Sequence, residues 1–211
     1  MPEEVGVMGK FANYIGSQFG NPRGIIGKGC CVIMNIINKA MYRRVVSFLR
    51  AKEDTNILDI GYGNGYLTQQ LYKRYRANIY GIDISEDMRN TANKRNSKGV
   101  AEGKVHLEVG DCCKLSYDDG FFDSVVSINT IYFWNDTVKG LEEINRTLKD
   151  NGAFYNVIYT KKWLQRLSYT KKGFKLFEKE ELISLGKQAG FSDIQIVDIS
   201  KGKSFAVVYK K

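Results

Sequence analysis

Between Asn56 and Tyr159 the chain alternates short apolar runs with segments whose apolar residues recur at helical spacing. The runs are "NILDI", "NIYGID", "VHLEV", "DSVVSI" and "AFYNVIY". Between them Leu67, Leu71 and Tyr75 share one helical face, and Val138, Leu141, Ile144 and Leu148 share another. Apolar strands alternating with amphipathic helices predict a parallel sheet covered on both sides. The tail departs from this rhythm. A helix near Glu178 to Ala189 stops at Gly190, a good C-terminal cap residue, and two strands follow, "DIQIVDI" and "SFAVVYK", joined by "SKGK". That hairpin pattern predicts an antiparallel strand joining one edge of the sheet.

At 211 residues the chain fits one domain, or one domain with an added segment. Residues 1–50 read as a helical cap or lid, with Val32, Ile36, Ile37, Met41, Val45 and Phe48 at helical spacing. Residues 51–211 read as the main domain. The glycine-rich "GNPRGIIGKG" fails as a phosphate loop, because Lys28 is followed by Gly29 rather than Ser or Thr. No run of 18 apolar residues predicts a membrane span, and the N-terminus lacks the charged-then-apolar pattern of an export signal, so no membrane partner and a cytoplasmic location are expected. The four cysteines form two adjacent pairs, Cys30-Cys31 and Cys112-Cys113, which match neither a disulfide framework nor zinc spacing. Reduced thiols and no metal are expected; soft-metal or arsenic chemistry is the alternative. Net charge is +9, but the cations are scattered in short runs, so a nucleic-acid footprint is possible without being favoured.

The first apolar run ends in "DIGYGNG", where Gly61, Gly63 and Gly65 alternate before a helix begins. Glycine there allows positive φ and close approach of a ligand to the backbone, with the positive end of the helix facing the pocket. A dinucleotide turn has the spacing G-x-G-x-x-G to seat a pyrophosphate. Here the spacing is G-x-G-x-G, with Asp59 two residues ahead. A carboxylate repels phosphate and attracts an ammonium or sulfonium. Asp83 ends the second run, 22 residues after Gly61, where a carboxylate can accept both ribose hydroxyls. Asp111, after the third run, can reach an adenine amino group. Acids at the ends of three successive strands form a constellation stronger than any one motif.

With these residues the sequence resembles the class I S-adenosylmethionine-dependent methyltransferases, over roughly Asn56 to Lys211. "NILDIGYGNGYL" is similar to that family's first motif, "GIDIS" to its second-strand acid, "EVGDCCKLSYDDGFFDSVVSINTIYFW" to its third and fourth strands, and "EEINRTLKDNGAF" to the helix and turn before strand five. In that turn Asp150-Asn151-Gly152 replaces the usual Pro-Gly-Gly. The resemblance implies a Rossmann-like, doubly wound, mostly parallel seven-stranded sheet, and S-adenosylmethionine as cofactor. It implies that Gly61, Gly63 and Gly65 back the methionine moiety, with Asp59 the first acid. Asp83 would hold the ribose, Asp111 and Cys112 the adenine edge, and Ile84 and Met88 the adenine ring.

The acceptor is expected beside "INTIYFWND", where Asn129, Tyr132, Phe133 and Trp134 offer an aromatic pocket with polar handles. Asn129 adjoins both cofactor and acceptor; Tyr132 and Trp134 complete the expected catalytic set, and Asp136 reads as a helix N-cap. The nucleic-acid amino-methyltransferase pattern Asn/Asp-Pro-Pro-Tyr/Phe is not met, since Thr130 and Ile131 stand in place of both prolines. The sole histidine, His106, falls at the wrong end of its strand. Lid candidates run from Phe11 to Met41 and from Tyr159 to Phe177. A small-molecule methyltransferase is therefore expected. An RNA methyltransferase and a non-catalytic S-adenosylmethionine-binding protein are the alternatives. Oxygen, nitrogen, carbon and sulfur acceptors, and any oligomeric state, remain compatible with the pattern.

Overall fold

The computed structural model describes residues 34–171 and 173–211. The glycine-rich loop at 20–29, Cys30-Cys31 and the lid candidates before Met34 lie outside the described residues. Of the segment 1–50, the part described is helix α1 (Lys39–Phe48) with the helical residues that lead into it.

The apolar runs form strands where expected. β1 (Asn56–Ile60), β2 (Asn78–Asp83) and β3 (Val105–Val109) coincide with their motifs. β4 (Phe122–Ile128) begins one residue early. β5 (Leu148–Tyr159) begins directly after Thr147, the last residue of the preceding helix, and absorbs the expected turn. Asn151 there takes φ 64°, and the β4–β5 register shifts between Phe122 and Ser124. Helices α2 (Tyr66–Tyr75), α3 (Glu86–Arg95), the short α4 (Ser97–Ala101) and α5 (Thr137–Thr147) fill the crossovers, then α6 (Lys161–Leu164) and α7 (Lys179–Gln188) precede the hairpin of β6 (Asp193–Ser200) and β7 (Ser204–Lys210).

The sheet has seven strands in the order β3-β2-β1-β4-β5-β7-β6. The first five run parallel, and β7 is antiparallel to both its neighbours. The C-terminal strand is thus the antiparallel one, but it lies inside the sheet rather than at its edge, and β6 takes the edge. Burial explains this: Phe205 to Val208 are all buried along β7, whereas β6 has no buried residue and exposes Gln195 and Asp198. The strand that is apolar on both faces takes the interior place.

The core runs from α1 across the sheet to α7, with Ile57, Leu58, Val125, Val126, Val157 and Ile158 fully buried at its centre. The order reverses at β1, whose neighbours are β2 and β4, and there the carboxyl ends of the strands open a crevice. α1 lies over the same end. Its inward stripe is Asn38, Met41 and Val45, whereas Ile36 is 71% and Ile37 54% exposed. Those two isoleucines fit the helical spacing yet point out, because the buried stripe is phased on a polar residue, Asn38.

Candidate functional site

The β1–α2 turn is built by its glycines. Gly61, Gly63 and Gly65 all take positive φ, at 70°, 52° and 73°. A Cβ added to Gly61 would come within 2.3 Å of Thr130 Cγ2, and one on Gly65 within 2.8 Å of Ala92 Cβ. Gly63 differs: a Cβ there meets nothing within 4 Å, because it would project into the cleft. The turn therefore needs glycine for packing at its two ends and for access in its middle. Gly65, as N-cap of α2, stands behind the cleft rather than on it.

The cleft is lined by Gly61 to Asn64, by Asp83 and Ile84, by Gly110 to Cys112, and by Ile128 to Thr130 with Phe133, Trp134 and Asn135. Met34, Asn35 and Tyr42 close it from the N-terminal side. Of the expected residues, this surface gathers Gly61, Gly63, Asp83, Ile84, Asp111, Cys112, Asn129 and Trp134.

Asp83 is the central polar group. Its Oδ2 accepts from Gly63 N at 2.9 Å and its Oδ1 from Ser85 N at 2.9 Å. Burial raises its pKa, and the N–H groups of Gly63, Ser85 and Ile84 partly offset this. Each oxygen keeps a further lone pair for a ligand hydroxyl. Ser85 is the helix cap of α3, its hydroxyl accepting from Met88 N, which leaves Asp83 free of that role. Asp111 is held by Cys113 N at 2.9 Å and by Asn135 Nδ2 at 3.2 Å; the Cys113 N–H contributes most to lowering its pKa. Its carboxylate lies within 4.8 Å of the Cys112 and Cys113 sulfurs. Burial pushes both thiols up, so they stand as neutral packing groups and not as thiolates.

Asp59 faces the core. It is 2% exposed, accepts from Thr68 Oγ1 at 2.8 Å and enters no ion pair among the described residues. Burial pushes it up to about 7; the Thr68 hydrogen bond opposes this and the nearby Asp83 adds to it. A buried acid with no cation beside it suits a site that receives a cationic ligand.

Besides Asp59 and Gly65, two further expected residues lie off the cleft surface. Met88 is fully buried in a small cluster with Tyr62 and Ala92 and does not reach the cleft. Tyr132 is buried behind Asn129: its hydroxyl donates to Asn129 Oδ1 at 3.2 Å and accepts from Tyr159 N at 2.8 Å. Burial raises its pKa well above the ordinary value, which removes it as a base. It holds Asn129, which sits at φ 60° and donates to Asn38 Oδ1 at 3.2 Å; Tyr159 Oη donates to the same oxygen at 2.7 Å. Trp134 reaches the cleft and donates from Nε1 to Thr130 Oγ1 at 3.1 Å. Asp136 caps α5 by accepting from Lys139 N.

Sequence reasoning missed Asn35, Tyr42, Asn64 and Thr130. Asn35 Nδ2 donates to Asn64 Oδ1 at 3.3 Å, which ties the leading helical residues to the glycine turn. One signal was available: Asn35, Asn38 and Tyr42 recur at helical spacing on an otherwise apolar stretch.

This is the crevice of a nucleoside-binding α/β protein, with an acid at or near the carboxyl end of each of β1, β2 and β3. A family model described as a methyltransferase domain matches residues 58–156. The chain is 32% identical over 165 residues to an uncharacterized methyltransferase, YdaC, of Bacillus subtilis (strain 168), covering 78% of this chain and 86% of that one. It is 30% identical over 146 residues to the chloroplastic 2-methyl-6-phytyl-1,4-hydroquinone methyltransferase of Arabidopsis thaliana, covering 68% of this chain but 42% of that relative. Among solved structures it superposes on geranyl diphosphate C-methyltransferase from Streptomyces coelicolor A3(2) with TM-score 0.73 at 14% identity, over 91% of this chain and 88% of that one. It also superposes on phosphoethanolamine N-methyltransferase 2 from Haemonchus contortus, in complex with S-adenosyl-L-methionine, with TM-score 0.70 at 20% identity, over 82% and 52%. These last two likenesses concern the fold. The chain belongs to the class I S-adenosylmethionine-dependent methyltransferases. It is an enzyme, and S-adenosylmethionine is its methyl donor.

Proposed function

We propose that the chain methylates a small-molecule acceptor held between the Asn129–Trp134 wall and the helical residues that lead into α1. The observation that carries this is the placement of Met34, Asn35 and Tyr42 across the cleft from Asn129, Phe133 and Trp134. An apolar, aromatic chamber with a few amide handles suits a small acceptor.

When bound, S-adenosylmethionine would supply an electrophilic methyl group on a sulfonium to an electron pair of the acceptor. The protein's share is placement. Asp83 orients a ribose through its two hydroxyls. Gly63 leaves room for the methionine portion, and Ile84, Asp111 and Cys112 flank the adenine. Asp59 favours positive charge near the turn. Asn129 and Trp134 face the acceptor, and Tyr132 fixes Asn129 from behind. Holding donor and acceptor in line provides the rate enhancement, to which exclusion of water by the bound acceptor would add. The quinol relative named above supports an uncharged, ring-bearing acceptor class.

Thermal unfolding with S-adenosylhomocysteine tests the cofactor assignment, with NADH as comparison. At 100 times its dissociation constant a ligand adds roughly 2.7 kcal/mol, a shift of about 5–10 °C for a chain of this size. A shift with S-adenosylhomocysteine alone is expected. Methyl transfer to a panel of quinols, phenols, amines and thiols, against bulk RNA across a salt series, then tests the acceptor class. Transfer to RNA alone, weakening steeply with salt, would overturn it.

A further inference from the structure

The net charge of +9 is not evenly spread beside the cleft. The segment between β5 and α7 carries Lys161, Lys162, Arg166 and Lys171, and the β6–β7 turn adds Lys201 and Lys203. The two pieces are joined: Thr160 N donates to Lys203 O at 2.9 Å and Thr160 Oγ1 to Gly202 O at 3.1 Å. Lys161 pairs with Glu178 at 3.3 Å. The other five cations enter no ion pair among the described residues. At the centre lies the half-buried ring of Trp163, with Lys203 Nζ 4.7 Å and the Arg166 guanidinium carbon 6.0 Å from its centroid.

This patch adjoins the acceptor side of the cleft. Phe174 packs on Phe133 with ring centroids 4.6 Å apart, and Lys175 Nζ donates to Trp134 O and Asn135 O at 2.6 and 2.9 Å. Lys203 also stands 5.8 Å from the ring of Tyr159, whose hydroxyl reaches Asn38, one residue from the exposed Ile37.

We propose that this surface docks peripherally on an anionic lipid bilayer. Lysines with no ion pair among the described residues, around an amphipathic tryptophan, match the interface between charged headgroups and acyl chains. The cations stand on a short helix and on turns, not along a groove that could track a nucleic-acid backbone. The exposed Ile36 and Ile37 add apolar area towards the same end. No helix among the described residues is long and apolar enough to cross a membrane, so the association is a surface one. It goes beyond the acceptor assignment; if both hold, lipophilic acceptors enter the cleft from the bilayer.

Vesicle co-sedimentation of the full chain tests this without turnover, so its failure leaves the methyltransferase reading standing. Vesicles of phosphatidylcholine alone are compared with vesicles containing roughly one-third phosphatidylglycerol. Binding to the anionic vesicles alone is expected, weakening as salt rises. Lys162→Glu/Lys201→Glu should lower it about tenfold or more, and Trp163→Leu should lower it at unchanged charge. Lys73→Glu/Lys94→Glu, on α2 and α3, makes the same charge change away from the patch and should leave most of the binding. The S-adenosylhomocysteine thermal shift checks that each variant is folded, with Lys162→Gln/Lys201→Gln replacing any that is not. Equal loss from both charge-reversed pairs, or no preference for anionic vesicles, would each overturn the proposal.

Discussion

Asp83 and Asp59 sit at the ends of neighbouring strands and are made different by their surroundings. Asp83 faces the cleft with backbone N–H groups on both oxygens; Asp59 faces Thr68 in the core. Asp83→Ala removes two charge-assisted hydrogen bonds to a ribose and is expected to weaken S-adenosylhomocysteine binding by roughly 2–4 kcal/mol in a calorimetric titration, with the fold intact. Normal affinity in that variant would falsify the ribose assignment. Asp59 predicts a pH dependence. Its pKa rises from 3.8 unfolded to about 7 folded, so the folded state keeps a proton that the unfolded state has lost. Its contribution to stability is therefore present at low pH and lost as pH rises towards 7. A cationic ligand near the turn favours the carboxylate and reverses this trend. S-adenosylmethionine should bind several-fold more tightly at pH 8 than at pH 6, by up to about tenfold per pH unit below the pKa, with proton release. In Asp59→Asn the slope should flatten.

At the scale of elements, the β1–α2 turn is clamped by the β4–α5 connection. Thr130 lies against Gly61, accepts from Trp134 Nε1 and shares a hydrogen bond with Ser127 at 2.5 Å. Gly61→Ala would drive a Cβ into the Thr130 methyl and strain a residue at φ 70°. A loss of about 2–4 kcal/mol in denaturant unfolding is expected from the two effects. Adding Thr130→Ser removes that methyl but not the backbone strain, so it should restore part of the stability. Full restoration would show that φ carries no cost here.

The described helix over the cleft is held at both ends of the site. Asn35 reaches Asn64 in the glycine turn, Asn38 reaches Asn129 and Tyr159, and Met41 and Val45 anchor α1 in the core. Through these bonds the β1–α2 turn, Asn129 after β4 and the start of α1 share one polar network over the molecule's main core. Hydrogen exchange should therefore show α1 and the β1–α2 turn gaining protection together when S-adenosylhomocysteine binds, although α1 contributes no residue of the glycine motif. Protection confined to the turn would mean that the network does not couple them.

The sequence by itself determined the strands and the acids at their ends. The β1–β3 runs and the G-x-G-x-G turn were legible because apolar periodicity, positive-φ glycine and strand-end carboxylates are local properties of the chain. Tertiary structure alone decided which residues those elements turn towards one another. Met88 and Tyr132 share composition and neighbourhood with cleft residues but became core, since helix phase and burial, not proximity in sequence, set where a side chain points. The polar stripe of Asn35, Asn38 and Tyr42 has no meaning until α1 meets strands that begin far along the chain. The interior place of β7 rests on the same physics: a hairpin specifies that two strands pair, and only competition for burial decides which of them the sheet covers on both sides.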